Sequence, residues 1–271
     1  MKGKEIRLSR LFSGGKPPVV VAIDHGQTMG PIEGVEDFPA AVNRLRRADG
    51  VLMAPAMANH TGRLFHGKNA PCLIVRLNWT AGLCILWDDY KEAPTTEIIT
   101  PADALALGAD IVLANLTLHT GTEEVDARNV GIFAKLAEEK EKLGVPMIGE
   151  VYPAQAEKLP PDKLHDRVKE GARIACELGA DMIKTFFTGD RFHEVCNGVP
   201  VPVFALGAAK LPREIDALKL AMTATDQGAR GVVFGRNVLQ AKDPARFLMA
   251  LKDVVRNKIQ PKEAAAKFGL Q

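Results

Sequence analysis

Leu178-Gly179-Ala180-Asp181-Met182-Ile183-Lys184-Thr185 decides the fold. A glycine after a leucine ends a helix, and the residues that follow form a short apolar strand with one lysine inside it. The same lead recurs as Leu107-Gly108-Ala109-Asp110 and as Gln227-Gly228-Ala229-Arg230. Each marks a helix exit running straight into a strand, so the chain alternates the two.

Outward from these leads, apolar runs predict strands over 18–23, 50–53, 71–76, 111–114, 145–149, 181–185, 201–206 and 231–234. Helical spacing covers 35–47, 101–107, 123–143, 162–178, 212–227, 244–255 and 259–268. Residues 58–70 read as a polar loop carrying His60, Arg63, His66 and Lys68. Residues 78–100 read as irregular and contain Trp79, Trp87, Asp88, Asp89 and Tyr90. That segment is long for a plain connection and is a candidate lid or subunit contact.

Near-continuous apolar strands covered by helices imply a parallel sheet. Eight of them in 271 residues predict a single (β/α)8 TIM barrel domain over residues 1–271, with a short N-terminal extension and a C-terminal helix. A doubly wound sheet is the structural alternative.

The chain has 35 Lys and Arg against 33 Asp and Glu, a formal net charge of +2. This balance points to neither nucleic acid nor a membrane as partner, and it leaves room for a local phosphate site. Cys72, Cys84, Cys176 and Cys196 lack close zinc-like spacing and read as buried free thiols in a reducing compartment. The N-terminus is polar and basic through Arg10 with no long apolar run behind it, so no signal peptide and no transmembrane helix are expected.

A lysine within an apolar strand needs a partner or a use. Burial disfavours the charged form of an amine and frees its lone pair to attack a carbonyl, giving a Schiff base. Pairing with a nearby carboxylate is the plainer role for Lys184. The C-terminal strand ends of a barrel form its active face. There the sequence places Asp24 and His25, the loop to His60, Arg76 and Asn78, Asn115 and His119, Glu150 and Tyr152, Lys184, Lys210, and Arg236. Gly207-Ala208-Ala209-Lys210 and Gly235-Arg236-Asn237 follow the last two strands. Small residues there let backbone N–H groups approach an anion, and the two cations add charge. Gly207, Ala208, Lys210, Gly235 and Arg236, with His25 and Asn115, are therefore the substrate- and phosphate-binding candidates.

Arg10-Leu11-Phe12, Asp24-His25-Gly26, Gly149-Glu150-Val151-Tyr152-Pro153, the Lys184 strand, Ala205 to Lys210 and Gly235 to Gln240 occur in a telling order. The chain resembles the class I aldolases of the archaeal fructose-bisphosphate aldolase type. Relatives of that group include aminodideoxyheptulosonate synthases and the thiolase of a phosphorylated autoinducer. The resemblance implies Lys184 as Schiff-base lysine, Tyr152 as general acid or base and Asp24 in proton transfer and substrate orientation. It also implies a phosphorylated ketose or keto-acid substrate, no cofactor and no metal, and a cytoplasmic homo-oligomer, often a decamer of two stacked rings. The sequence departs from relatives at Gly207-Ala208, where paired glycines are common, and at Ala154-Gln155, where arginine and glycine are frequent.

The expected chemistry is cleavage or formation of a C–C bond through a lysine iminium, with Tyr152 as proton donor or relay. Asp24 is expected to orient the substrate and to stabilise protonated Lys184 between steps. A coenzyme A-dependent thiolase on a phosphorylated dione is the alternative within the family. Two rivals lie outside it. One is a metal-dependent barrel hydrolase drawing ligands from Asp24, His25, His60, His66 and His119. The other is a non-catalytic assembly protein with Lys184 merely paired.

Overall fold

The recurring glycine–alanine lead is a helix terminator in three dimensions. Gly108, Gly179 and Gly228 have φ of 93, 105 and 103°, a left-handed region that a side chain would strain. The next N–H in each case, from Ala109, Ala180 and Ala229, donates to the carbonyl of Ala104, Ala175 and Ala224 at 3.0, 3.0 and 2.9 Å. This closure satisfies the last helical carbonyls and turns the chain into the following strand.

The computed structural model describes residues 2–87, 90 and 92–270. Its barrel strands are β1 Val19–Ala22, β2 Gly50–Met53, β3 Cys72–Arg76, β4 Ile111–Leu116, β5 Met147–Val151, β6 Met182–Phe186, β7 Val203–Leu206 and β8 Gly231–Phe234. All pairings are parallel, and β1 closes against both β2 and β8. The (β/α)8 expectation therefore holds, and the doubly wound alternative falls.

Strand alternation divides the core into two layers. Val20, Leu52, Ile74, Leu113, Ile148, Met182, Phe204 and Val233 fill the barrel interior. Val19, Val21, Val51, Val75, Val112 and Ile183 point outward under the helices. Both faces are buried, which is why the strands read as unbroken apolar runs.

The N-terminal extension is a helix, Lys2–Leu11, rather than a simple polar lead. Leu11 is fully buried among the interior side chains, and the Phe12 ring centroid lies 5.8 Å from that of Phe204. The segment thus plugs the barrel floor.

Three local readings need correction. The helix expected over 35–47 is only Phe38–Asn43, started by the Asp37 carboxylate accepting from the Ala40 N–H at 3.1 Å. The polar loop over 58–70 is partly helical, with helix Pro55–Thr61 and a 3-10 turn Gly62–Phe65. Pro55 fits the first turn, and only Ala58 and Thr61 of that helix are buried, so its apolar signal is faint. The segment over 78–100 is not wholly irregular, because Asn78–Thr80 pairs antiparallel with Thr95–Glu97. Trp79 Nε1 donates to the Gln27 carbonyl at 3.0 Å and ties this hairpin to the loop after β1. Asp88 and Asp89 of the candidate lid lie outside the described residues.

Candidate active site

Parallel register sets the chemistry. Asn115, Glu150, Lys184 and Phe204 are successive partners across β4, β5, β6 and β7. Their row lies on the inward face near the C-terminal strand ends, so Glu150 and Lys184 meet side by side. Lys184 is 6% exposed and Glu150 2%. The Lys184 Nζ donates to Glu150 Oε1.

The pair belongs to a four-residue ion network. Arg76, at the end of β3, donates from Nη1 to Glu150 Oε2 at 2.7 Å and from Nε to Asp24 Oδ2 at 2.5 Å. Asn115 Nδ2 reaches Glu150 Oε2 at 3.4 Å. Two buried cations thus face two buried carboxylates, which is how charge is tolerated inside a barrel. Burial acts to raise the Glu150 carboxyl, but Arg76 and Lys184 overcome it and hold the group well below the usual carboxylate range. Burial likewise acts to lower Arg76, and Asp24 and Glu150 overcome it and hold the guanidinium charged. The carboxylate against Lys184 is Glu150, not Asp24; Asp24 reaches the network through Arg76.

One cavity gathers Lys184, Asp24, Tyr152, His25, Gly207, Ala208, Gly235 and Arg236 together with Arg76 and Glu150. Two candidates stand apart. Lys210 does not line it, and Asn115 is buried beneath it, holding the Asn78 side chain and Glu150. Arg76 and Glu150 were legible only as charged residues near strand ends. Their inward parity on the strands was the available signal.

Tyr152 is buried, with its ring 4.7 Å from that of Phe186. Its hydroxyl donates to the carboxylate of exposed Glu157. Burial, with Glu157 adding to it, pushes the phenol far above its ordinary value. Tyr152 therefore stays protonated and is linked to solvent through Glu157.

His25 packs its ring on Gly235, where a Cβ would fall 2.3 Å from its Cε1; glycine is needed there. Burial lowers the imidazole to about 4, so the ring is neutral at pH 7. Its Nδ1 is shut from solvent and has no hydrogen-bond partner among the described residues, as is the case for Arg236 Nε. Asn237 donates to the carbonyls of Gly207 and Ala209 at 2.7 and 3.0 Å and accepts from the Leu211 N–H at 2.9 Å. It fixes the loop after β7 beside Arg236. Ala208 takes φ 49° in that loop, a left-handed conformation that explains why glycine would suit the position.

Among the described residues, no three His, Cys, Asp or Glu side chains are grouped to hold a metal ion. His60, His66 and His119 are exposed, and His119 pairs with Glu170 at 2.9 Å. Among the described residues, the hydrolase ligand candidates are therefore not brought together. No helix among the described residues is long and apolar enough to cross a membrane.

Residues 18–241 match the model of the DeoC/LacD family aldolases. An uncharacterized aldolase of Saccharolobus solfataricus is 33% identical over 94% of this chain and 95% of its own length. A 3-hydroxy-5-phosphonooxypentane-2,4-dione thiolase of an Enterobacter species is 30% identical over 97% of this chain and 84% of its own. The solved structure of a Schiff-base-forming fructose-1,6-bisphosphate aldolase superposes with a TM-score of 0.78, at 26% identity, over 93% of this chain and 99% of that one.

Proposed function

The chain belongs to the DeoC/LacD aldolase family, and from that premise we propose that Lys184 is the nucleophile of its Schiff-base chemistry. It is a class I aldolase, making or breaking a C–C bond next to a ketone. The observation that carries the assignment is the Lys184 amine itself, inside the barrel at its C-terminal end, against Glu150 and opening on the cavity.

Glu150 takes a proton from the Lys184 ammonium, and the free amine attacks the ketone to give a carbinolamine. That proton, returned to the carbinolamine hydroxyl, lets water leave and an iminium form. The charge balance of the network favours this step. The carbinolamine nitrogen is neutral and leaves Glu150 facing one cation fewer, whereas the iminium restores the positive charge beside it. The iminium then accepts the electron pair of the breaking C–C bond as an enamine. Asp24, held by Arg76, orients the substrate hydroxyl and accepts its proton. Tyr152 is the proton donor to the enamine carbon, with Glu157 replacing the proton from solvent.

Arg236 and the N–H groups of the loops after β7 and β8 hold the phosphate of a phosphorylated ketose or keto acid. Two relatives support that substrate class, since the names of the thiolase and of the bisphosphate aldolase both specify phosphate. The thiolase at 30% identity keeps a second reading open, in which the acyl fragment passes to coenzyme A. Release of a coenzyme A thioester only when coenzyme A is present would select it. The chain acts in the cytoplasm as a homo-oligomer, a decamer in its largest form. Four free thiols and the exposed Leu86, Trp87 and Tyr90 support this, and light scattering gives the subunit count.

Borohydride reduction in the presence of dihydroxyacetone phosphate, fructose 1,6-bisphosphate or a mixed metabolite pool tests the nucleophile. Peptide mass analysis is expected to find the adduct on Lys184, and its mass identifies the donor. An adduct on another lysine would overturn the assignment. Lys184→Met is expected to be folded and inactive, because Glu150 keeps Arg76 as a counter-charge.

A further inference from the structure

Beside the catalytic cavity lies a second, larger hollow that the chemistry described so far does not use. It is bounded by the loop after β1, the helix Pro55–Thr61 and the hairpin bearing Trp79. The cavity over Lys184 offers only about 80 Å³, and this groove about 740 Å³. The second figure is within the roughly 300–1,000 Å³ of small-molecule sites; the first is far below it. Asp24 and His25 line both spaces, so the groove adjoins the Lys184 cavity at these two residues.

The groove's walls are of one character. Ile32, Val35, Phe38, Met57, Trp79 and Ile98 face it, and among the described residues neither lysine nor arginine does. Its polar side chains are Asp24, His25 and Gln27 at and beside the junction and Thr96 on the hairpin. Gln27 Oε1 and His25 Nδ1 are both buried without a hydrogen-bond partner among the described residues, although each side chain lines the groove. Both atoms are shut from solvent, so the apolar side chains are the surface that a bound chain would touch. The cation suited to a phosphate, Arg236, lines the catalytic cavity and not the groove.

We propose that the groove binds an uncharged, apolar carbon chain on the substrate portion remote from Arg236, so that the aldehyde made or consumed carries a hydrophobic substituent. This rests on Lys184 being the Schiff-base residue and adds the class of its second substrate. In the synthetic direction the enamine carbon attacks the aldehyde carbon, the new C–C bond forms, and the alkoxide takes a proton. The iminium is then hydrolysed by water to ketone and amine. No further reactant is required.

Methyl n-alkyl ketones from 2-butanone to 2-octanone are the probe, because the carbonyl can be trapped on Lys184 by borohydride while the chain enters the groove. The half-saturating ketone concentration for the Lys184 adduct is expected to fall roughly fourfold per added methylene, the gain for burying one such group. The ratio of 2-octanone to 2-butanone affinity, measured within each variant, is expected to collapse in Ala56→Trp, which fills the groove, and in Ile98→Asp, which charges it. A chain-length series that is flat in the wild-type protein, or unchanged ratios in both variants, would overturn the proposal.

Failure of the Schiff-base reading is a separate result, namely no Lys184 adduct with any ketone. In that event a fluorescence titration with 1-hexanol, 1-heptanol and 1-octanol still reads the groove, using Trp79 as sole tryptophan in a Trp87→Phe background. Saturable shifts that tighten with chain length would support the apolar site, and their absence would overturn it. A groove already filled by a second copy of this chain would give that negative outcome together with concentration-dependent assembly.

Discussion

Glu150 and Lys184 are register partners on adjacent parallel strands, and the amine of one donates to the carboxylate of the other inside the barrel. The proposed nucleophile and its proposed base are thereby placed by backbone pairing rather than by a loop. Glu150→Gln keeps the shape and a hydrogen-bond acceptor but removes the base. The rate of borohydride-trapped adduct formation is expected to drop by about 10²–10⁴, the usual contribution of general acid–base catalysis. Unaltered trapping kinetics would remove Glu150 from the proton path. Glu150→Leu leaves Arg76 and Lys184 without this counter-charge and is expected to cost about 3–5 kcal/mol in urea unfolding.

Tyr152→Phe deletes the hydroxyl and keeps the ring against Phe186. The Lys184 adduct should still form, while C–C cleavage and exchange of the donor's α proton slow by about 10²–10⁴. Normal exchange in this variant would pass the proton transfer to Asp24 or water. Glu157→Gln is expected to give a milder loss in the same assay, because it removes the solvent end of the relay and leaves the phenol in place.

Arg236→Leu is expected to weaken a phosphorylated substrate by about ten- to a hundredfold, while its unphosphorylated analogue changes little. Lys210 lies off the cavity lining, so Lys210→Met is expected to have the smaller effect. Equal losses for both ligands in Arg236→Leu would give Arg236 a structural role only.

His25 is expected to give stability a pH dependence. Burial lowers its folded pKa from 6.5 to about 4, so between those values the unfolded chain binds the extra proton. Stability rises with pH across that window. The His25 contribution is complete above about pH 6.5 and is lost as pH falls toward about 4. Its full size is on the order of 3.5 kcal/mol, because each tenfold loss of proton affinity on folding corresponds to roughly 1.4 kcal/mol. Urea midpoints between pH 4 and 7 should therefore flatten in His25→Gln. A parent curve already flat over that range would show that His25 does not titrate this way.

Local sequence determined the frame. The glycines that end helices announce strands because only a left-handed residue closes the helix there. Apolar runs on both faces of each strand announce a sheet covered by helices, and the count announces a closed barrel. Lys184, Tyr152, Asp24 and the loops after the last two strands were legible as rim residues for the same reason. The short helix Pro55–Thr61 was not, since its exposed polar face hides its period.

Tertiary structure alone decided which charge meets which. Glu150 and Lys184 are 34 positions apart, and Arg76 and Asp24 are 52 apart. Composition and periodicity say that each needs a partner but cannot choose among several carboxylates on one rim. The choice is made by strand register and inward parity, which set Glu150 beside Lys184 and leave Asp24 to Arg76. Lys210 and Asn115 illustrate the same limit. Lys210 follows β7 and Asn115 lies inside β4, yet the turn after β7 keeps one off the cavity lining and contacts with Asn78 and Glu150 hold the other beneath it.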